Sequence, residues 1–153
     1  MSLDDDIAKL TRIPLFADLE LEALRLVAFS AETRILRTGD ILFRRGETSD
    51  GGYVILAGSL ALDPDQLDGR GIHVVGAHSL VGELALMTQT ERPVNAVARE
   101  ATTVLKISRP LFQRVLKEFP KSAARLRQGL EARLISFTRS VSAQSQLADV
   151  SPT

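Results

Sequence analysis

The sequence predicts an α+β fold that is mainly β: an antiparallel β-roll or jelly-roll barrel, flanked by an N-terminal helical segment and two C-terminal helices. Three observations predict it. Between Ala31 and Ile107, short apolar runs alternate with glycine and aspartate turn signals, the texture of many short antiparallel strands. On either side of that stretch, apolar residues recur at helical spacing. The length, 153 residues, fits one domain. That domain is expected over residues 1–142, with 143–153 a disordered tail.

The elements follow in order. A short helical piece is predicted near Asp4–Leu10, separated by Pro14 from the next helix. Asp18 is expected to cap that helix, whose apolar face carries Leu21, Leu24, Leu26, Val27 and Phe29. Strands are predicted at Ile35–Arg37, Ile41–Phe43, Tyr53–Leu56, Leu60–Leu62, Ile72–Val75, Val94–Val97 and Thr102–Ile107, most of them ending at a glycine or aspartate. Ser108 is a suitable N-cap, and Pro110 suits the first helical turn, where its missing N–H is not needed. That helix should end near Phe119. A second should run from about Pro120 to Val141, with Ala123, Leu126, Leu130, Leu134, Phe137 and Val141 on one face. Gly129 is its weak point.

Composition narrows the function. Apolar residues are 44% and charged residues 25%, ordinary for a folded domain. With no cysteine, disulfides, thiolate metal sites and cysteine nucleophiles are excluded. Two histidines are too few for an all-histidine zinc site. The longest predominantly apolar run, Gly51–Leu62, falls short of the ~20 residues that span a bilayer. The acidic start, Met1-Ser2-Leu3-Asp4-Asp5-Asp6, is unlike a signal peptide, so a cytoplasmic protein is expected. Residues 1–100 carry 10 basic and 16 acidic side chains, and residues 101–153 carry 9 and 3. The basic residues are dispersed and lack interleaved aromatics, which reads as a solvated helix face rather than a nucleic-acid surface. No catalytic constellation is visible, so no enzyme is expected. Gly69-Arg70-Gly71 lacks dinucleotide-binding context, and no phosphate loop of the Gly-Lys-Ser/Thr type is present.

The chemistry concentrates in Val81-Gly82-Glu83-Leu84-Ala85-Leu86-Met87-Thr88-Gln89-Thr90-Glu91-Arg92-Pro93-Val94-Asn95. Gly82 permits backbone geometry closed to other residues. Leu84–Met87 can start a helical turn whose free N–H groups attract an anion. Arg92, across a loop, can close on the same anion through two charge-assisted bonds. Glu83 would repel that anion unless it accepts from something else, such as a sugar hydroxyl. An anion site beside a hydroxyl acceptor describes a sugar-phosphate receptor. A turn glycine with a surface ion pair is the plainer alternative, worth about 0–1 kcal/mol.

This stretch resembles the phosphate-binding cassette of the cyclic nucleotide-binding domain family, which includes catabolite activator proteins and the regulatory subunits of protein kinase A. Gly82-Glu83-Leu84-Ala85-Leu86 matches the typical cassette without change. Ile13-Pro14-Leu15-Phe16 resembles the family's helical lead-in. Gly39-Asp40-Ile41-Leu42-Phe43-Arg44-Arg45-Gly46-Glu47 and Tyr53-Val54-Ile55-Leu56-Ala57-Gly58 resemble its strands, so the likeness covers about residues 10–135.

The resemblance implies roles. Glu83 would accept from the ribose 2′-hydroxyl, beside Gly82 and Leu84. Arg92 and the Ala85 N–H would hold the cyclic phosphate. Pro93, Val94 and Asn95 would lie along the ligand, and Val74 and Val75 would touch the base. The helix after Pro120 would supply a lid, with Leu134 and Phe137 in line for it, and a homodimer seam. Two residues depart from the family pattern. Pro93 has no N–H, which removes a phosphate contact that many members make. Asn95 replaces a threonine or serine, though it can still donate and accept. In members selective for cyclic GMP a threonine beside the arginine contacts guanine, which Pro93 cannot do. Cyclic AMP is therefore expected over cyclic GMP, with no other cofactor. The chain is expected to be a stand-alone sensor module or an excised fragment, without a DNA-binding domain of its own, because too few residues follow Val141 for a helix-turn-helix. It would signal to an unidentified downstream protein. The competing expectation is a fold of the same kind that has lost nucleotide binding and serves as a protein-interaction module.

Overall fold

The computed structural model describes residues 3–64 and 70–132. Three helices open the chain: α1 (Leu3–Leu10), α2 (Pro14–Ala17) and α3 (Leu21–Ser30). Pro14 is in the first turn of α2, where a proline costs no hydrogen bond. Asp18 closes α2 as its C-cap instead of opening α3. The N-cap of α3 is Glu20, without a side-chain bond. The Glu20 N–H instead donates to Ser122 Oγ at 2.8 Å, so a long-range partner replaces the local cap.

Eight strands follow: β1 (Glu32–Leu36), β2 (Ile41–Phe43), β3 (Gly51–Ala57), β4 (Ser59–Asp63), β5 (His73–Gly76), β6 (Leu80–Val81), β7 (Asn95–Ala98) and β8 (Thr102–Ser108). A short helix, α4 (Glu83–Met87), lies between β6 and β7, and α5 (Arg109–Glu118) follows β8. Residues 120–132 are helical and are called α6. The strands form two antiparallel four-stranded sheets, ordered β1-β8-β3-β6 and β2-β7-β4-β5. The expected roll is thus two packed sheets, and its strand positions match the sequence to within a few residues. The two-residue β6 was not anticipated, since it is too short to show any alternation.

Side-chain alternation builds two cores from one sheet. Tyr53 and Ile55 of β3 and Val104 of β8 face the second sheet, where they meet Phe43, Leu60, Ala96 and Ala98. Val54 and Leu56 of β3 and Leu105 and Ile107 of β8 face the helices, where they meet Leu10, Phe16, Val27, Phe112 and Leu126. Burial on both faces explains the unbroken apolar run in β3. Phe16 and Phe112 meet edge to face at 6.2 Å between centroids, joining α2 to α5. Ser108 caps α5 as expected, its Oγ accepting from the Leu111 N–H at 3.2 Å. Leu21 and Phe29, expected on the apolar face of α3, are instead exposed, Phe29 by 80%. Helical spacing puts them on a flank that none of the described elements covers. Leu134, Phe137 and Val141 lie outside the described residues.

Candidate functional site

A cavity of about 460 Å³ opens between α4, the loop carrying Arg92, and the inner face of the second sheet. Its apolar wall is Phe43, Leu62, Val75 and Leu80, and its rim is Gly82–Ala85 and Glu91–Val94. A largely apolar cavity of this size with a few convergent polar groups is what a small-molecule ligand needs.

Gly82 makes the entry into α4 possible. Its backbone is left-handed, φ +85° and ψ +38°, where a side chain costs roughly 1–2 kcal/mol. A Cβ there would also lie 2.8 Å from Arg92 Nη1. Gly51, at the start of β3, meets a second close approach: a Cβ on it would collide with the Ile107 carbonyl oxygen.

Arg92 is the cation of the site, and it is only 4% exposed. Its main chain is pinned on both sides: its N–H donates to Glu47 O, and its carbonyl accepts from the Gly46 N–H, each at 2.8 Å. Nη2 donates to the Gly51 carbonyl at 2.8 Å and lies 3.9 Å from Asp50 Oδ1. The guanidinium carbon stands 4.4 Å from the Phe43 ring centroid and 5.6 Å from that of Tyr53, within cation–π range. Burial pulls the Arg92 pKa below its ordinary value, while Tyr53, Asp50 and Glu47 oppose the shift. Arginine stays protonated regardless, so the cavity keeps a desolvated positive charge. Asp50 is held as a carboxylate, its pKa lowered chiefly by the bond from Lys106, whose Nζ is 2.8 Å away.

The predicted residues converge. Gly82, Glu83, Leu84, Ala85, Arg92, Pro93, Val94 and Val75 all line the cavity. Val74, one step along β5, faces the opposite side of the sheet and is 47% exposed. Asn95 is not in the lining; its Oδ1 accepts from the Arg45 N–H at 2.7 Å and ties β7 to the turn after β2. The Ala85 N–H donates to the Gly82 carbonyl at 3.0 Å within the first turn of α4. Leu84 stands at the rim, 65% exposed. Leu134 and Phe137 lie outside the described residues.

Sequence reasoning missed four participants: Phe43, Ser49, Asp50 and Arg109. Phe43 reads as a strand residue, and only sheet pairing brings it under Arg92. Ser49 and Asp50 belong to the turn before β3, and the Gly51-Gly52 pair was the one local sign of close packing there. Among the described residues no group of three or more histidine, cysteine, aspartate or glutamate side chains could hold a metal. No described helix is long and apolar enough to cross a membrane.

Comparison with known proteins agrees with this geometry. The family model of the cyclic nucleotide-binding domain matches residues 33–119. A solved cyclic nucleotide-binding-like protein from Brucella abortus is 43% identical, with a TM-score of 0.68, covering 74% of this chain and 99% of its own. A cAMP-dependent protein kinase regulatory subunit from Eremothecium gossypii is 32% identical over 102 residues, covering 67% of this chain and 22% of its own length. Lysophospholipase nte1 of Neurospora crassa is 31% identical over 134 residues, which is 86% of this chain but 9% of that protein. The chain therefore spans a small part of the curated relatives it matches. The match with the family model and the cassette geometry lead to one conclusion: the chain belongs to the cyclic nucleotide-binding domain family.

Proposed function

We propose that the chain is a regulatory receptor module that binds cyclic AMP in preference to cyclic GMP and does no catalysis of its own. The observation that carries this is the buried Arg92 guanidinium in the wall of a largely apolar cavity that Gly82 and Glu83 also line. Arg92 pairs with the cyclic phosphate, and its placement against Gly51 and Phe43 means little reorganisation on binding. Glu83 accepts from the ribose hydroxyl. The base lies against Val75, Leu62 and Leu80, an apolar wall that suits a purine face. Pro93 offers no side-chain hydroxyl for guanine, which supports the preference for cyclic AMP.

Signalling follows if ligand closes the cassette and the helix from 120 onward moves over the cavity, a two-state element that differential binding can bias. The relatives named a cyclic nucleotide-binding-like protein and a cAMP-dependent kinase regulatory subunit support the ligand class. Competition of labelled cyclic AMP by each unlabelled nucleotide tests the preference. Tighter displacement by cyclic AMP is expected, and equal or tighter displacement by cyclic GMP contradicts it.

Two observations favour a second reading, a protein-interaction module of the same fold. Pro93 lines the cavity without an N–H to offer, and the Asn95 side-chain oxygen is already engaged by Arg45. Absence of saturable nucleotide binding would select it.

A further inference from the structure

We propose that Arg109 is a positioning residue for the cassette: it locks both ends of the 85–90 segment and so holds Arg92 at the cavity. Its use for nucleotide rests on the receptor function proposed above. Arg109 is the first residue of α5, and its backbone N–H donates to Asp50 O at 2.8 Å. Its side chain reaches two other segments. Nε donates to the Ala85 carbonyl at 2.9 Å. Nη2 donates to the Ser49 carbonyl at 2.9 Å and to Ser49 Oγ at 3.1 Å.

Each acceptor bears on the cassette. A helix of five residues such as α4 is too short to hold itself together, and its last carbonyls lack intrahelical partners. Arg109 supplies one for Ala85, a cavity-lining residue. Ser49 Oγ also accepts from the Thr90 N–H at 3.0 Å and lies 2.9 Å from Thr90 Oγ1. A hydroxyl has two acceptor sites and one proton. With Arg109 and Thr90 N–H occupying the acceptor sites, the Ser49 proton goes to Thr90 Oγ1. Ser49 also donates its own N–H to Thr90 O at 2.7 Å. Thr90 is two residues before Arg92. One guanidinium therefore fastens α4 directly at Ala85 and the approach to Arg92 through Ser49, and it joins both to α5. A lysine presents one nitrogen where arginine presents a planar fork, so it would hold the two acceptors less well.

The test is hydrogen–deuterium exchange on the full chain, wild type against Arg109→Gln, Arg109→Lys and Ser49→Ala, together with cyclic AMP titration. In Arg109→Gln, amides of 83–91 should exchange about tenfold faster or more, while those of β3 and β8 keep wild-type rates. Cyclic AMP affinity should fall by a similar factor. Arg109→Lys and Ser49→Ala should shift both readouts in the same direction by less. Unchanged exchange over 83–91 overturns the assignment, and so does equal acceleration across β3 and β8, which marks general destabilisation. If Arg109→Gln does not fold, Arg109→Lys and Ser49→Ala decide by the same criteria. A wild-type protein that binds no cyclic nucleotide removes the receptor function, and the exchange rates still decide whether Arg109 holds the cassette.

Discussion

The Arg92 guanidinium occupies the space that a side chain on Gly82 would need: a Cβ at position 82 would lie 2.8 Å from Arg92 Nη1. The two cassette residues are thus a fitted pair. Gly82→Ala should destabilise the fold by about 1–2 kcal/mol through its left-handed backbone and also displace the guanidinium. Melting temperature and cyclic AMP affinity should both fall. A variant with unchanged affinity would mean that Arg92 is not held by this contact.

Phe43 faces the same guanidinium, with 4.4 Å between the ring centroid and the charged carbon. Phe43→Leu keeps an apolar side chain but removes the ring face, worth about 2 kcal/mol when desolvated. A loss of affinity of about tenfold or more is expected, beyond what the change in thermal stability explains. Titration and thermal melting of the same sample check this.

Ser108 caps α5 through the Leu111 N–H. Ser108→Ala should cost about 1 kcal/mol of stability, read as a lower midpoint in urea at an unchanged slope. A midpoint equal to wild type would show that the cap contributes nothing.

The pH dependence follows from Asp50. Its pKa is lowered in the folded state, first by the bond from Lys106. A depressed carboxylate contributes stability that is present above its unfolded pKa and lost as pH falls through its folded pKa. Folding stability should therefore decline below about pH 4, and less steeply in Asp50→Asn. Its exposure keeps the effect small. Acid melting curves of the two proteins that decline in parallel would contradict this.

Much of the fold was legible in the sequence because its signals are local. Glycine and aspartate punctuation marked the strands, Ser108 and Pro110 marked the start of α5, and the spacing of Ala123 and Leu126 marked the buried face of α6. What was not legible depends on contacts distant in the chain. Ser122 replaces Asp18 as the partner at the start of α3, from 102 residues away. The cassette residues Gly82 to Ala85 could be found because they are contiguous and their chemistry is explicit. Val74 and Val75 could not be told apart before strand register put them on opposite faces. Phe43, Ser49 and Arg109 act only through neighbours that the sheet brings together, so no spacing rule reveals them. The Asn95 side-chain oxygen accepts from the Arg45 N–H, a contact from 50 residues away that no local spacing shows.

The most direct test of the central claim is calorimetric titration of the protein with cyclic AMP, wild type beside Arg92→Ala. The account predicts saturable binding by the wild type and its loss in a variant that remains folded. No heat with the wild type, together with a melting temperature unchanged at millimolar cyclic AMP, would contradict it.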